Sequence, residues 1–418
     1  MKYDVVVIGG GPAGMMAAGR AGELGARVLL LEKKSQPGIK LLMTGNGRCN
    51  ITSKIAEPRI LVKKFGQNGK FLFSALSEFG VKETMEFFES RGVKLKIEDN
   101  NRVLPKIGRA QDVLDVLLKY LKDASVKIKI DAEVREIIKK GKKIEKIILA
   151  DGEEIIADNF IIATGGKSYP QSGSNGDGYK WLKKLGHEII EPKPALTPII
   201  LKEKFIKKLE GLSLSGVKVS LFKISEELND KKPINSEVGD IIFTANGLSG
   251  PAVLNLSRVV VMALPEKLKL SLDFFPDLSN IELEKKIRTE FENNKNKTLV
   301  GYLEKIVPRR LAEVIIDLAK IDSQKAVHSV TKEERKKIIE LLKEFSLLVQ
   351  EVAGFDKAMI TVGGVKLSEV DQKTLKSKLI DNLYLAGEVL DLAGPTGGFN
   401  LQVCWSTGYL AGQSAVGD

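Results

Sequence analysis

The chain opens on six residues of strand character, Tyr3-Asp4-Val5-Val6-Val7-Ile8, and then breaks into Gly9-Gly10-Gly11-Pro12-Ala13-Gly14. Met15 to Leu24 follows with apolar residues at helical spacing among small ones. Gly25 closes that stretch, and Arg27-Val28-Leu29-Leu30-Leu31-Glu32 is apolar without alternation. A run apolar on both faces is what a strand inside a parallel sheet requires, so the pattern predicts one strand–helix–strand unit. Residues 71–92 and 110–123 read as helices, and 125–138 and 143–150 as strands, with Asp151-Gly152 as a hairpin turn. Ile155 to Thr164 leads into a second glycine turn.

The texture changes after Pro192. Prolines cluster at 192, 194 and 198, and alternating strands such as "GVKVSLFKI" and "LKLSLDF" dominate to about residue 275. Helical spacing runs from about 281 to 345, with a break at Pro308, and glycine-rich parallel-sheet texture returns after Gly354. The sequence therefore predicts a discontinuous α/β nucleotide domain, 1–190 with 355–418, carrying an insert of about 160 residues. Within the insert, 191–278 and 325–354 read as β-rich and 279–324 as helical. No internal repeat is visible.

Composition narrows the class. At 418 residues, 43% hydrophobic and 28% charged, the chain is long enough for two or three domains with a large core. Two cysteines exclude a disulfide framework and any four-cysteine metal site, and they suit a reducing cytoplasm. The strand pattern starts at Tyr3, which predicts no leader, and no apolar run approaches the roughly 18 residues of a membrane span. The only histidines, His187 and His328, lie outside every motif, which argues against a Ser–His–Asp hydrolase or a histidine metal site.

Gly9-x-Gly11-x-x-Gly14 gains meaning from its context. It follows a strand, opens a helix at Pro12-Ala13, and precedes an acid, Glu32, by 18 residues. Glycines permit the tight turn and close backbone approach to a pyrophosphate, and the helix N-terminus supplies free N–H groups. Glu32 can accept from ribose hydroxyls, with Lys33 beside it. An acid there argues for NAD or FAD rather than a 2′-phosphorylated nucleotide.

Two features favour FAD. Ala163-Thr164-Gly165 ends a strand in a small-residue turn, as in two-dinucleotide-type flavoproteins. "LYLAGEVLD" is a second such strand near the C-terminus, in which Gly387 is followed by Glu388, an acid able to bind a ribityl chain. The last helix then opens near Asn400-Leu401-Gln402, where N–H groups can stabilise negative charge on a reduced ring. A second nucleotide fingerprint is missing, and "ATGGKS" has Ile161 where a P-loop needs its first glycine. NADH or NADPH is therefore expected only as a transient reductant at the flavin, or another reductant serves.

These motifs resemble the BaiN-like family of NAD(P)/FAD-dependent flavoproteins. The matching stretches are "GGGPAG", "TGNGRCNIT", "NRVLPKIGRAQDVLD", "ATGGKSYPQSGSNGDGY", "IIFTANGLSGPAVLNLS", "TVGGV" and "LYLAGEVLDLAGPTGGFNLQ", which span the chain. The resemblance implies a Rossmann-like FAD domain with an inserted β-barrel-like domain and a small helical domain. It also implies that Asn246 to Pro251 faces the flavin. The family commonly has histidine after the threonine of its "LFTH" stretch, whereas Ala245 follows Thr244 here. Members are linked to reduction of conjugated C=C bonds in steroid-like substrates, to amine oxidation, and to dihydrouridine formation in ribosomal RNA.

C=C reduction needs a hydride donor, a group polarising a carbonyl and a proton donor. "GNGRCN" offers candidates. Cys49 can donate a proton as a thiol or pack as a small hydrophobe. Arg48 can polarise a carbonyl or hold a phosphate. Asn46 and Asn50 can bond flavin or substrate edges, and Gly45 and Gly47 let the loop lie against a flat ring. Cys404 reads as core. The formal net charge of +11 allows an RNA partner, while stretches such as "KKIRTEFENNKNK" fit ordinary solvated helix faces. Uridine in ribosomal RNA is the first substrate expectation. A small-molecule reductase or amine oxidase and a non-catalytic RNA-binding flavoprotein are the alternatives.

Overall fold

The computed structural model describes residues 2–224, 232–294 and 297–417. Residues 295–296 of "KKIRTEFENNKNK" lie outside them. Contacts divide the chain into two units, 1–194 with 355–418, and 195–354.

The first unit is built on a five-stranded sheet with spatial order Leu383–Leu385, Ala157–Ile162, Tyr3–Ile8, Val28–Leu31, Lys127–Lys129. Every neighbouring pair is parallel. Val5, Val6 and Val7 are fully buried, as their unbroken apolar run requires. The unit also holds three small sheets: Thr52–Ser53 with Arg102–Pro105 and Leu95–Glu98, Val134–Lys140 with Lys143–Leu149 and Glu154–Ile155, and Ile189–Ala195 with Ile360–Val365.

The first helix, Pro12–Glu23, packs along the last, Phe399–Ser414. Glycine makes this contact close. A Cβ at Gly408 would stand 2.4 Å from the Ala13 carbonyl oxygen, and one at Gly412 2.2 Å from that of Ala17. The backbones therefore touch directly, and the chain's last segment is fixed beside its first glycine turn.

The second unit is a closed six-stranded barrel, in the order Ile199–Leu201, Gly247–Ser249, Asn235–Thr244, Ser213–Lys223, Leu268–Asp273, Phe345–Val352. Alternation sends Val217, Val219 and Leu221 inward. Helices Asn280–Asn293, Leu299–Leu303, Arg309–Ala319 and Lys332–Lys343 share one hydrophobic core with the barrel. The three-part sequence division thus meets a single unit here, because the helical segment has no core of its own. The β-rich stretch 191–278 also contains a helix, Pro251–Ala263. Among the described residues no helix is long and apolar enough to cross a membrane.

Candidate cofactor site

A groove open to solvent, with about 900 Å³ of free space, runs along the carboxyl ends of the sheet strands in the first unit. Gly9, Gly11, Pro12, Ala13, Glu32, Lys33, Ala163, Thr164, Gly165 and Glu388 line it, ten of the residues singled out from sequence.

The glycine turn has two kinds of glycine. Gly9 (φ 109°) and Gly14 are required by packing: a Cβ on Gly14 would stand 1.8 Å from the Gly9 oxygen. Gly11 is different, because nothing lies within 4 Å of the position its Cβ would take. Its φ of −78° suits any L-residue, so its small size is needed by whatever occupies the space in front. The helix that begins there has no side-chain cap and no acid in its first turn. Its free N–H groups therefore face an open cradle, the arrangement that binds a pyrophosphate.

Charges line both sides. Glu32 accepts from Gly10 N–H at 2.9 Å and Lys34 N–H at 2.8 Å. Burial pushes its carboxyl up, against the pull of those bonds. Lys33 pairs with Asp177 at 2.9 Å and Lys40 with Glu388 at 2.7 Å, all four side chains less than a quarter exposed. Burial alone would raise the Asp177 carboxyl; the bonds from Lys33 and Lys180 outweigh it and hold it below the usual range.

The second glycine turn adds two hydroxyls. The Oγ1 of Thr164 and the Oγ of Ser174, on two groove-lining residues, are buried and have no hydrogen-bond partner among the described residues. Unpaired buried hydroxyls are unfavourable, so both are poised for a ligand's polar atoms. The cradle before Gly11, the uncapped helix and these hydroxyls together fit FAD.

The remaining candidates fall elsewhere. Gly387 (φ 76°) is a packing glycine whose Cβ would meet Ala13 at 2.7 Å. Gly45 (φ 57°) and Gly47 (φ 83°) form a short helical turn outside the groove lining; the Asn46 side chain lies outside the described residues. Arg48 is exposed and reaches Glu98 at 3.4 Å. Cys49 is fully buried in the core with φ 56°, and burial pushes its thiol up to about 12 despite a bond with Thr44. Cys49 is thus one of the residues of the first unit's hydrophobic core.

Side chains near the last helix also serve as braces. Oriented by its network, the Asn50 amide accepts from Gly398 N–H at 3.0 Å and donates to the carbonyls of Thr52 and Val103. Asn400 holds the Gly394 and Pro395 carbonyls. Gln402, fully buried, bonds Thr52, Thr84 and Ser406, while Leu401 packs at the core edge. None of the four lines the groove.

Cys404, expected as core, does line the groove, beside Gly387 and Ala13. Sequence reading also missed Lys40, Asp177, Trp181 and the Ser172–Ser174 turn. Lys40 had a signal, a lone cation inside apolar "GIKLL".

This fold and groove define an FAD-binding oxidoreductase of Rossmann type. The family model described as "HI0933-like protein Rossmann domain" matches residues 3–414, and the chain belongs to that family. It is 32% identical to the 3-dehydro-bile acid delta(4,6)-reductase of Clostridium scindens, over 98% of each chain. It is 28% identical to the ribosomal RNA dihydrouridine synthase of Escherichia coli, over 99% of this chain and 98% of that one. A solved structure of 3-ketosteroid delta1-dehydrogenase from Sterolibacterium denitrificans matches with a TM-score of 0.54 at 13% identity, covering 100% of this chain and 99% of that chain. That likeness concerns the fold.

Proposed function

We propose that the protein reduces an activated C=C bond and that its substrate is uridine in ribosomal RNA, giving dihydrouridine. The observation that supports this substrate is the pair of near-full-length relatives, from Escherichia coli and Haemophilus influenzae, that carry the name ribosomal RNA dihydrouridine synthase. The net charge of +11 is consistent with it. FAD held in the groove would supply hydride chemistry, with NADH or NADPH as the reductant on this reading. The chain's part is to hold it: the N–H groups of Gly11 and Ala13 for the pyrophosphate, with Pro12 between them contributing none, Glu32 for the ribose, and Glu388 with Lys40 near the Gly387 turn. With no second nucleotide fingerprint, the nicotinamide visits only for the reductive step. The reaction runs in the cytoplasm on this reading.

A second reading, a small-molecule enone reductase, is favoured by the 32% identity to the bile acid reductase. Both reactions attack a C=C bond conjugated to a carbonyl. Reduced protein, mixed without oxygen with ribosomal RNA or with a 3-keto-4-ene steroid, separates them through recovery of oxidised-flavin absorbance. Recovery with RNA, together with dihydrouridine in the product, is the expected result. Recovery with the steroid alone would replace this reading by the second.

A further inference from the structure

The positive charge is concentrated. Residues 48–70 carry six lysines and arginines against one acid, and residues 94–109 carry five against two. These two short segments hold a net +8 of the chain's +11.

The fold joins them. Thr52–Ser53, Arg102–Pro105 and Leu95–Glu98 form one antiparallel sheet, with Thr52 opposite Val103 and Glu98 opposite Arg102. Lys54 N–H donates to the Asn101 carbonyl and Lys106 N–H to that of Lys94, each at 2.7 Å, so the flanking lysines sit at the sheet's ends. Glu98 is shared by three cations, Lys96 at 2.7 Å and Arg48 and Arg102 at 3.4 Å each. The bond from Lys96, with its two arginine neighbours, holds that carboxyl below the usual range. Lys54, Lys94, Lys106 and Arg109 of the sheet and its flanks are exposed, as are Arg59 and Lys63 further along the first segment, and among the described residues the ion pairs of the sheet go to Glu98. Exposed Asn100 and Asn101 stand among these cations with left-handed backbones, and Ile107 is 92% exposed beside Lys106.

We propose that this sheet and its flanks are the docking face for ribosomal RNA, an inference that rests on the RNA reading above. Clustered cations repel one another, and phosphates relieve that repulsion with release of counterions. Amides and an apolar tip between the cations suit the edges and faces of unpaired bases. The face is also close in sequence to the groove: Lys40 lines the groove and Arg48 belongs to the patch.

The test compares two triple variants of the holoprotein with equal loss of charge. One is Lys54→Gln, Lys94→Gln, Lys106→Gln in the patch. The other is Lys140→Gln, Lys142→Gln, Lys143→Gln, exposed lysines of a different hairpin. Binding of fluorescently labelled, fragmented ribosomal RNA is titrated over a range of salt. The patch variant is expected to bind at least about tenfold more weakly near 0.1 M salt, with a log–log salt slope smaller by about two to three. The hairpin variant stays within about twofold, and both keep normal flavin reduction by NADH. Equal weakening, or none, with the unaltered protein binding RNA in a salt-dependent way, overturns the docking face but leaves the RNA reading intact. An unaltered protein that does not bind RNA at all overturns both. Vesicles of phosphatidylglycerol form the third arm: loss of vesicle binding in the patch variant with RNA binding retained overturns the proposal in favour of a lipid surface.

Discussion

The Lys40 ammonium lies 2.7 Å from Oε2 of Glu388, joining two groove-lining residues 348 positions apart. The other oxygen of Glu388 accepts from Thr361 N–H at 2.7 Å. One carboxylate thus ties together three chain segments, two of which line the groove. Removing it leaves a half-buried ammonium and an N–H without their acceptor. Glu388→Ala is expected to lower stability of the FAD-free protein by about 2 kcal/mol in urea unfolding, and to weaken FAD retention. Glu388→Gln, which keeps an acceptor for Thr361, should lose about half of that. An alanine variant as stable as the unaltered protein would remove the tie from the account.

Gly11 and Gly14 separate ligand space from packing space. Gly14→Ala brings a Cβ to 1.8 Å from the Gly9 oxygen, so a loss of about 3 kcal/mol is expected. A Cβ at Gly11 has no protein atom within 4 Å, and the φ there is permissive, so Gly11→Val directs its bulk into the space before the turn. That variant should fold with native circular dichroism and unfolding midpoint, yet purify colourless. Stoichiometric FAD in it would show that the pyrophosphate does not lie before Gly11.

Cys49 is sealed in the core. Cys49→Ala should therefore keep FAD and leave the rate of substrate reduction within about twofold, with a stability loss near 1 kcal/mol for the missing sulfur. A tenfold slower reduction step in single-turnover measurements, with FAD still bound, would reinstate the thiol as proton donor.

His187 brings in pH. Its ring is buried between Glu369 Oε2, 3.0 Å from Nδ1, and Ser377 Oγ, 2.9 Å from Nε2. Burial lowers its pKa, and Glu369 opposes this only in part. With the folded value below the unfolded one, the unfolded chain takes up more protons in between. Stability should therefore fall as pH drops from about 7.5 through the ordinary histidine value of about 6.5, then level off below the folded value. His187→Gln should flatten that slope. Identical slopes for both proteins across this window would exclude His187 as its source.

What the sequence makes legible has a physical pattern. The strand Tyr3–Ile8, the turn at Gly9 to Gly14 and the acid at Glu32 are readable because backbone geometry dictates residue type there. The helix Pro251–Ala263 is hidden by Val259-Val260-Val261, whose β-branched run looks like a strand; Pro251 at its first turn was the available signal. Cys404 packs against the core, as expected, and also lines the groove, which was not expected. The last helix is buried on most of its sides, so no polar stripe marks which face meets the groove, and Cys404 is indistinguishable from core by pattern. Ser174 and Asp177 meet the first turn only through long-range packing, which periodicity does not encode.

The most direct measurement is mass spectrometry of ribosomal RNA nucleosides from cells with the gene, without it, and complemented by either the unaltered protein or Gly11→Val. The account predicts dihydrouridine that disappears on deletion, returns with the unaltered protein and stays absent with Gly11→Val. Dihydrouridine at the same level in all four would contradict it and move the reaction to a small-molecule enone.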